Sequence, residues 1–145
     1  MVRVPSRRTI GTVARTPPRE LADGLVVATL GAAAELLLRC RVGLPRLCRL
    51  FRVRLDLSGS SDPRDPEPLP AWAAARLRST RRVMRHWPVD GPCLRHSLVL
   101  GFRLRGLEPS LRIGVRSGSA GPVAHAWIEV AGQSLDPASA GYEPF

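Results

Sequence analysis

The chain contains no lysine; all 22 of its basic residues are arginine. That is a bias of composition and assigns no function by itself. Cysteine is scarce, with Cys40, Cys48 and Cys93 the whole set. An odd number without dense spacing excludes a disulfide scaffold and fits a reducing interior, hence a cytoplasmic protein. Cys40 and Cys48 lie two helical turns apart on apolar stretches and read as buried small hydrophobes. Long hydrophobic runs are also lacking. The uncharged run from Gly24 to Ala34 spans 11 residues before Glu35 and Arg39 interrupt it, too few to cross a bilayer. A signal peptide ending near Ala32-Ala33-Ala34 is disfavoured by the long charged lead. No internal repeat, helix-turn-helix signature or paired-cysteine zinc spacing is present, so nucleic acid is not an expected partner.

The charge that is present is uneven. The net charge is +10, over 145 residues that suffice for one domain with a modest core. Residues 1–57 carry 11 arginines against 4 acidic residues, whereas residues 92–145 carry 5 against 4. The basic surplus lies in the N-terminal part, where it suits an acidic partner or a solvated surface.

In order, residues 1–19 form a basic, proline-bearing N-terminus expected to be disordered. Residues 20–57 form a helical part, with helices over Leu21–Arg41 and Leu44–Leu55. The second sets Leu47, Leu50, Phe51 and Val53 against Arg46, Arg49, Arg52 and Arg54. Its apolar stripe is expected to cover the core, and membrane contact is not expected. Residues 58–70 form a polar, proline-rich linker. Residues 71–145 form the second part, and 20–145 together read as one domain. Its first helix runs from Pro70 to His86, with Trp72, Ala75, Leu77, Val83, Met84 and Trp87 as packing candidates. His86 reads as a surface or cap residue.

The informative stretch is Gly91 to Pro137. Asp90-Gly91-Pro92 is a turn followed by a helix start, because proline suits the first helical position. Leu94, Leu98 and Phe102 then recur at helical spacing up to a stop at Gly106. Cys93 therefore falls in the first turn, where unpaired amides and the helix dipole favour an anion such as a thiolate. After Gly106 comes a strand over Leu111–Val115, then a Gly/Ser hairpin loop over Ser117–Pro122, a place where substrate could enter.

From Val123 to Val130 the residues alternate as in a strand. Ala124, Ala126, Ile128 and Val130 take one face; His125, Trp127 and Glu129 take the other. Ala131-Gly132 turns the chain, Gln133–Leu135 pairs back, and Asp136 comes close to His125. A carboxylate there accepts a hydrogen bond, expected at Nδ1, and fixes the imidazole tautomer. The tail can pack Tyr142 and Phe145 on the sheet.

A cysteine at a helix start, His-Ala-Trp in a strand and Asp-Pro after the next strand resemble the transglutaminase-like, papain-like superfamily of cysteine enzymes. Within it the chain is most similar to the lasso peptide biosynthesis leader peptidase, the protease half of the split B protein, itself similar to the C-terminal domain of microcin-processing proteins. Cys93-Leu94 with Ser97-Leu98, Arg105-Gly106-Leu107, Leu111-Arg112-Ile113-Gly114-Val115 and His125-Ala126-Trp127 with Glu129 and Gly132 carry that resemblance. They cover about the last third of the chain.

The resemblance implies an α+β fold, with N-terminal helices and a Cys93 helix packed on a small antiparallel sheet that carries His125 and Asp136. It implies a cysteine protease with a Cys93–His125–Asp136 triad that needs no cofactor and no metal. Its substrate would be a ribosomally made precursor peptide, and its partners a separate small leader-binding protein and the lasso cyclase. The Cys93 amide is a natural oxyanion donor, but the glutamine that papain-like enzymes often use upstream is absent from Trp87–Asp90. Arg46, Arg49 and Arg52 are the candidate docking surface. Other readings remain open: an amide-forming or deamidating enzyme, a non-catalytic scaffold, or a zinc site from Cys93, His96 and His125.

Overall fold

Pro18 opens the first helix, α1 (Pro18–Arg39), with Glu20 in its first turn and Arg39 in its last, both placed to suit the helix dipole. The structure is a computed structural model that describes residues 17–58, 67–89 and 91–145. The expectation for residues 1–16 and most of the linker lies outside the described residues.

α1 stops in a Schellman turn. Arg41 adopts φ +54°, the Val42 amide bonds back to the Leu37 carbonyl at 3.1 Å, and the Arg41 amide to Leu38 at 3.0 Å. The same device ends α2 (Leu44–Leu50), where Arg52 has φ +51° and the Val53 amide reaches the Cys48 carbonyl at 2.9 Å. This corrects the helix expected through Leu55. The chain reverses at Arg52, and Arg54–Leu55 becomes a strand, β1. Helical periodicity in the arginines concealed the stop, because the left-handed position that usually marks it with glycine is occupied here by arginine.

α3 (Ala71–Met84) follows the linker. Its inward residues are Ala73, Thr80 and Met84 rather than Trp72, which is 43 % exposed and carries the Arg76 guanidinium over its ring at 4.9 Å. His86 is exposed beyond the helix end, as expected. α4 (Pro92–Arg103) is next, followed by a 3-10 turn over Arg105–Leu107.

The remainder is sheet. β2 (Ser110–Gly118) pairs antiparallel over its full length with β3 (Gly121–Val130). Only Ser119 and Ala120 lie between them, so the loop expected over Ser117–Pro122 shrinks to a two-residue turn. Ala131 and Gly132 both take positive φ, +51° and +78°, as a two-residue hairpin turn requires. They lead to β4 (Gln133–Ser134). A 3-10 turn over Pro137–Gly141 then crosses to β5 (Glu143–Pro144), which pairs with β2. The order is β1-β2-β3-β4, with β5 also on β2. β1 runs parallel to β2, so the sheet is mixed rather than wholly antiparallel.

α4 packs on β2 and β3, and α1 and α3 pack on α4. The architecture is α+β. The core lies between α4 and the sheet, where Leu98, Leu104, Leu111 and Ile128 are fully buried. Each contributes about 1.5–3 kcal/mol by leaving water. Cys48 is buried here, and burial pushes its thiol pKa up. Cys40, expected to be buried, is exposed because it caps the end of α1.

Two ion pairs clamp α1 to α4, Asp23 to Arg103 and Glu35 to Arg95, with both guanidinium groups buried. Arg103 also donates to Ser79 Oγ at 2.6 Å and Thr80 Oγ1 at 2.8 Å of α3. α1 is longer and more apolar than the uncharged run suggested. Its 22 residues and a mean hydropathy of 1.8 over 18 of them meet the length and composition needed to cross a membrane, and 17 % of that window is buried. Leu21, Leu25, Val26 and Leu36 face outward.

Candidate active site

Cys93 occupies the second position of α4. Gly91 precedes the helix at φ +72°, ψ +50°, a left-handed conformation that glycine adopts without steric cost, and Pro92 follows at the first position. The helix thus begins abruptly, and its first amides, that of Cys93 among them, have no partner within the helix. The side chain of Cys93 is half-buried against the main apolar core.

α4 runs alongside β3 in a regular register. Ser97 Oγ donates to the Ala126 carbonyl at 3.0 Å. One turn later, the place a Cβ on Gly101 would take lies 3.1 Å from Ile128 Cδ1. Four helical residues rise about 6 Å and two strand residues about 6.6 Å, so the two elements stay in step. Cys93 lies one turn before Ser97 on the same helix. Among the described residues, no hydrogen bond joins Cys93 to His125 or to Asp136.

His125 and Asp136 do meet. His125 Nε2 lies 2.8 Å from Asp136 Oδ2. The β3–β4 hairpin turns the chain, and the Leu135 amide bonds to the Ile128 carbonyl at 2.9 Å, which aligns Asp136 with this part of β3. Burial works to raise the Asp136 pKa. The Ala138 amide at 2.9 Å and the His125 ring outweigh it, and the net shift is downward. An ionised carboxylate only accepts, so Nε2 carries a proton, and in the neutral ring Nδ1 keeps its lone pair. The expected contact was at Nδ1; the edge position of Asp136 presents it to Nε2 instead.

Both partners are held from behind. Ser139 Oγ donates to the Asp136 carbonyl at 2.8 Å, and the Asp136 amide donates to Ser134 Oγ at 3.1 Å. Arg81 of α3 donates to the Leu135 carbonyl. Trp127 stacks on His125 with ring centroids 6.1 Å apart and planes 22° apart, and Tyr142 lies closer, at 4.8 Å and 31°. Trp127 Nε1 donates to Glu129 Oε1 at 3.0 Å, and Arg112 Nε donates to Glu129 Oε2 at 3.1 Å. Arg112 also lies 3.4 Å from Asp56 Oδ1.

His125, Trp127 and Glu129 therefore share a face, as the alternation in the sequence indicates, and that face is covered. Sequence reasoning missed Tyr142, Ser134, Ser139 and Arg81 as neighbours of the pair. They reach it through a turn and a helix distant in the chain, and no local pattern marks them. His96, one turn after Cys93, lines a cavity of about 110 Å³ together with Arg81 and Asp136. Among the described residues no group of three His, Cys, Asp or Glu side chains gathers as a metal site.

A family model described as the transglutaminase-like superfamily matches residues 34–145, from the last turns of α1 to the end of the chain. No curated protein and no solved structure matches the chain.

Proposed function

The chain belongs to the transglutaminase-like superfamily, and from that membership we propose that it is a cysteine peptidase that removes the leader from a ribosomally made lasso peptide precursor. Enzymes of this superfamily generally work through a cysteine. The observation that carries the reading is the His125–Asp136 pair at 2.8 Å, its histidine on the strand against which α4, with Cys93 in its first turn, packs.

Cys93 Sγ attacks the scissile carbonyl, and its proton passes to His125 Nδ1, the nitrogen that Asp136 leaves free. The unpaired Cys93 amide at the helix start faces the negative charge that develops on the carbonyl oxygen. The imidazolium returns the proton to the leaving amine, the new N-terminus of the core peptide, and a thioester remains on Cys93. Water then attacks the thioester. His125 takes the water proton and returns it to the departing sulfur, and the leader leaves as a carboxylic acid. Asp136 holds one tautomer throughout and offsets the charge on the imidazolium.

The proposed setting is the cytoplasm, consistent with three unpaired cysteines. The proposed partners are a small leader-binding protein and the cyclase that uses the freed amine. Arg46, Arg49 and Arg52 are exposed on and just after α2 and offer the leader-binding protein a basic docking surface. Charge reversal at the three that leaves the complex intact argues against that surface.

The test is mass spectrometry of a precursor incubated with its leader-binding protein and either this chain or its Cys93→Ala variant. A shortened core is expected with the parent chain alone. His125→Ala and Asp136→Asn should slow its release by about 10²–10⁴-fold. A product that has gained an added amine would instead identify an amide-forming enzyme. An unchanged precursor, with the chain folded and the partner bound, would leave a binding scaffold.

A further inference from the structure

We propose that Tyr142 is a positioning residue for His125, and that the C-terminal segment carrying it is part of the active site. The inference rests on the reading of His125 as the general base. Asp136 fixes a single atom of the His125 ring. One hydrogen bond leaves the ring free to pivot about the Nε2–Oδ2 line, and pivoting swings Nδ1 away from its target. A working base must hold its geometry to about 0.5 Å and 10–20°. The structure supplies that restraint through two neighbouring rings, Trp127 and Tyr142, both within 31° of the imidazole plane.

Trp127 is locked by its own bond to the buried Glu129. Tyr142 depends on the tail. The Arg116 guanidinium lies 5.0 Å from its ring centre. The Tyr142 amide bonds to the Ser139 carbonyl at 3.0 Å, and the Phe145 amide to Ile113 at 3.0 Å. Between them β5 pairs with Gly114 and Val115. Gly114 lies directly across the ladder from His125. A Cβ there would come within 2.6 Å of the Glu143 carbonyl and 2.8 Å of Trp127 Cη2. The missing side chain admits both the tail and the indole. Two rings, Trp127 and Tyr142, thus border the imidazole, each held by contacts of its own.

The experiment is ¹⁵N NMR of the histidine rings in the full chain at neutral pH, for the parent, Tyr142→Phe and Tyr142→Leu, with turnover measured beside it. The parent and Tyr142→Phe should show His125 as a single sharp Nε2–H tautomer. Tyr142→Leu should keep that tautomer, which Asp136 fixes, but show the ring signals broadened by motion, with kcat down ~100-fold and KM within about threefold. Arg116→Gln, which frees the Tyr142 ring without removing it, should shift the same signals in the same direction and serves if Tyr142→Leu does not fold. Unchanged His125 signals in Tyr142→Leu, or in Arg116→Gln where that variant replaces it, overturn the proposal. So does a Tyr142→Phe variant that behaves like Tyr142→Leu, because the hydroxyl and not the ring would then be responsible. The ring signals need no substrate, so failure of the parent to cleave a precursor counts against the peptidase reading alone.

Discussion

Gly114 and His125 are directly paired across the β2–β3 ladder, and the side chain that Gly114 lacks leaves room for the Glu143 carbonyl and the Trp127 indole. Backbone, not a flexible side-chain end, closes that space at 2.6 Å. Gly114→Ala therefore must displace β5 or bend β2. A loss of about 1–3 kcal/mol is expected, measured by thermal unfolding, with faster hydrogen exchange at the Phe145 amide. Unchanged exchange at Phe145 would show that the tail does not depend on this contact.

Arg112 and Glu129 form an ion pair with side chains 1 % and 6 % exposed. Removing one charge from such a pair strands the other. Glu129→Gln is expected to cost about 3 kcal/mol, at the lower end of the range for buried pairs because Asp56 still faces Arg112. Urea unfolding measures it. A cost below about 1 kcal/mol would mean that Asp56 compensates fully.

His96 supplies an acid-sensitive element. Burial, then Arg81 and His125, lower its pKa against the opposing pull of Asp136, and its Nε2 is buried without a hydrogen-bond partner. The folded chain thus binds this proton less readily than the unfolded chain, whose histidine titrates near ~6.5. The contribution is fully present above that pH and is lost as pH falls toward the lowered folded value. His96→Gln should flatten the fall in unfolding free energy between neutral pH and pH 5. Parallel curves for variant and parent would remove His96 as the source.

Arg52 sits at φ +51° at the end of α2, a conformation in which glycine carries no Cβ penalty. Arg52→Gly should raise stability by about 0.5–1 kcal/mol once the greater freedom of the unfolded glycine is set against that relief. The midpoint of denaturant unfolding measures the change. A decrease would mean that the arginine side chain contributes more than its backbone costs.

Much of the site was legible because the signals are local. Proline after glycine before Cys93 marks a helix start wherever it occurs, and alternation from Val123 to Val130 sets His125, Trp127 and Glu129 on one face by the geometry of the strand. The hairpin at Ala131-Gly132 brings Asp136 back toward His125 through a turn that Gly132 marks, although Ala131 also takes a positive φ. The end of α2 was not legible. Arg52 in the left-handed region leaves no mark in composition, and the helical spacing of Arg46, Arg49 and Arg52 runs through the stop.

Sequence alone determined the order of the four helices and of β2, β3 and β4, the placing of Cys93 at a helix start and the shared face of His125 and Trp127, since these depend on backbone preferences within a few residues. Tertiary structure decided the rest. Asp136 addresses Nε2 and not Nδ1 because β4 pairs with one edge of β3. Tyr142 reaches His125 because the tail crosses to β2 beside Gly114, 28 residues earlier in the chain. Arg103 and Arg95, indistinguishable in the sequence from the surface arginines, are buried because acidic residues of α1 meet them. Such contacts join parts of the chain that share no local pattern. They exist only once burial of the α4–β3 core has brought those parts together, and no short stretch of residues encodes them.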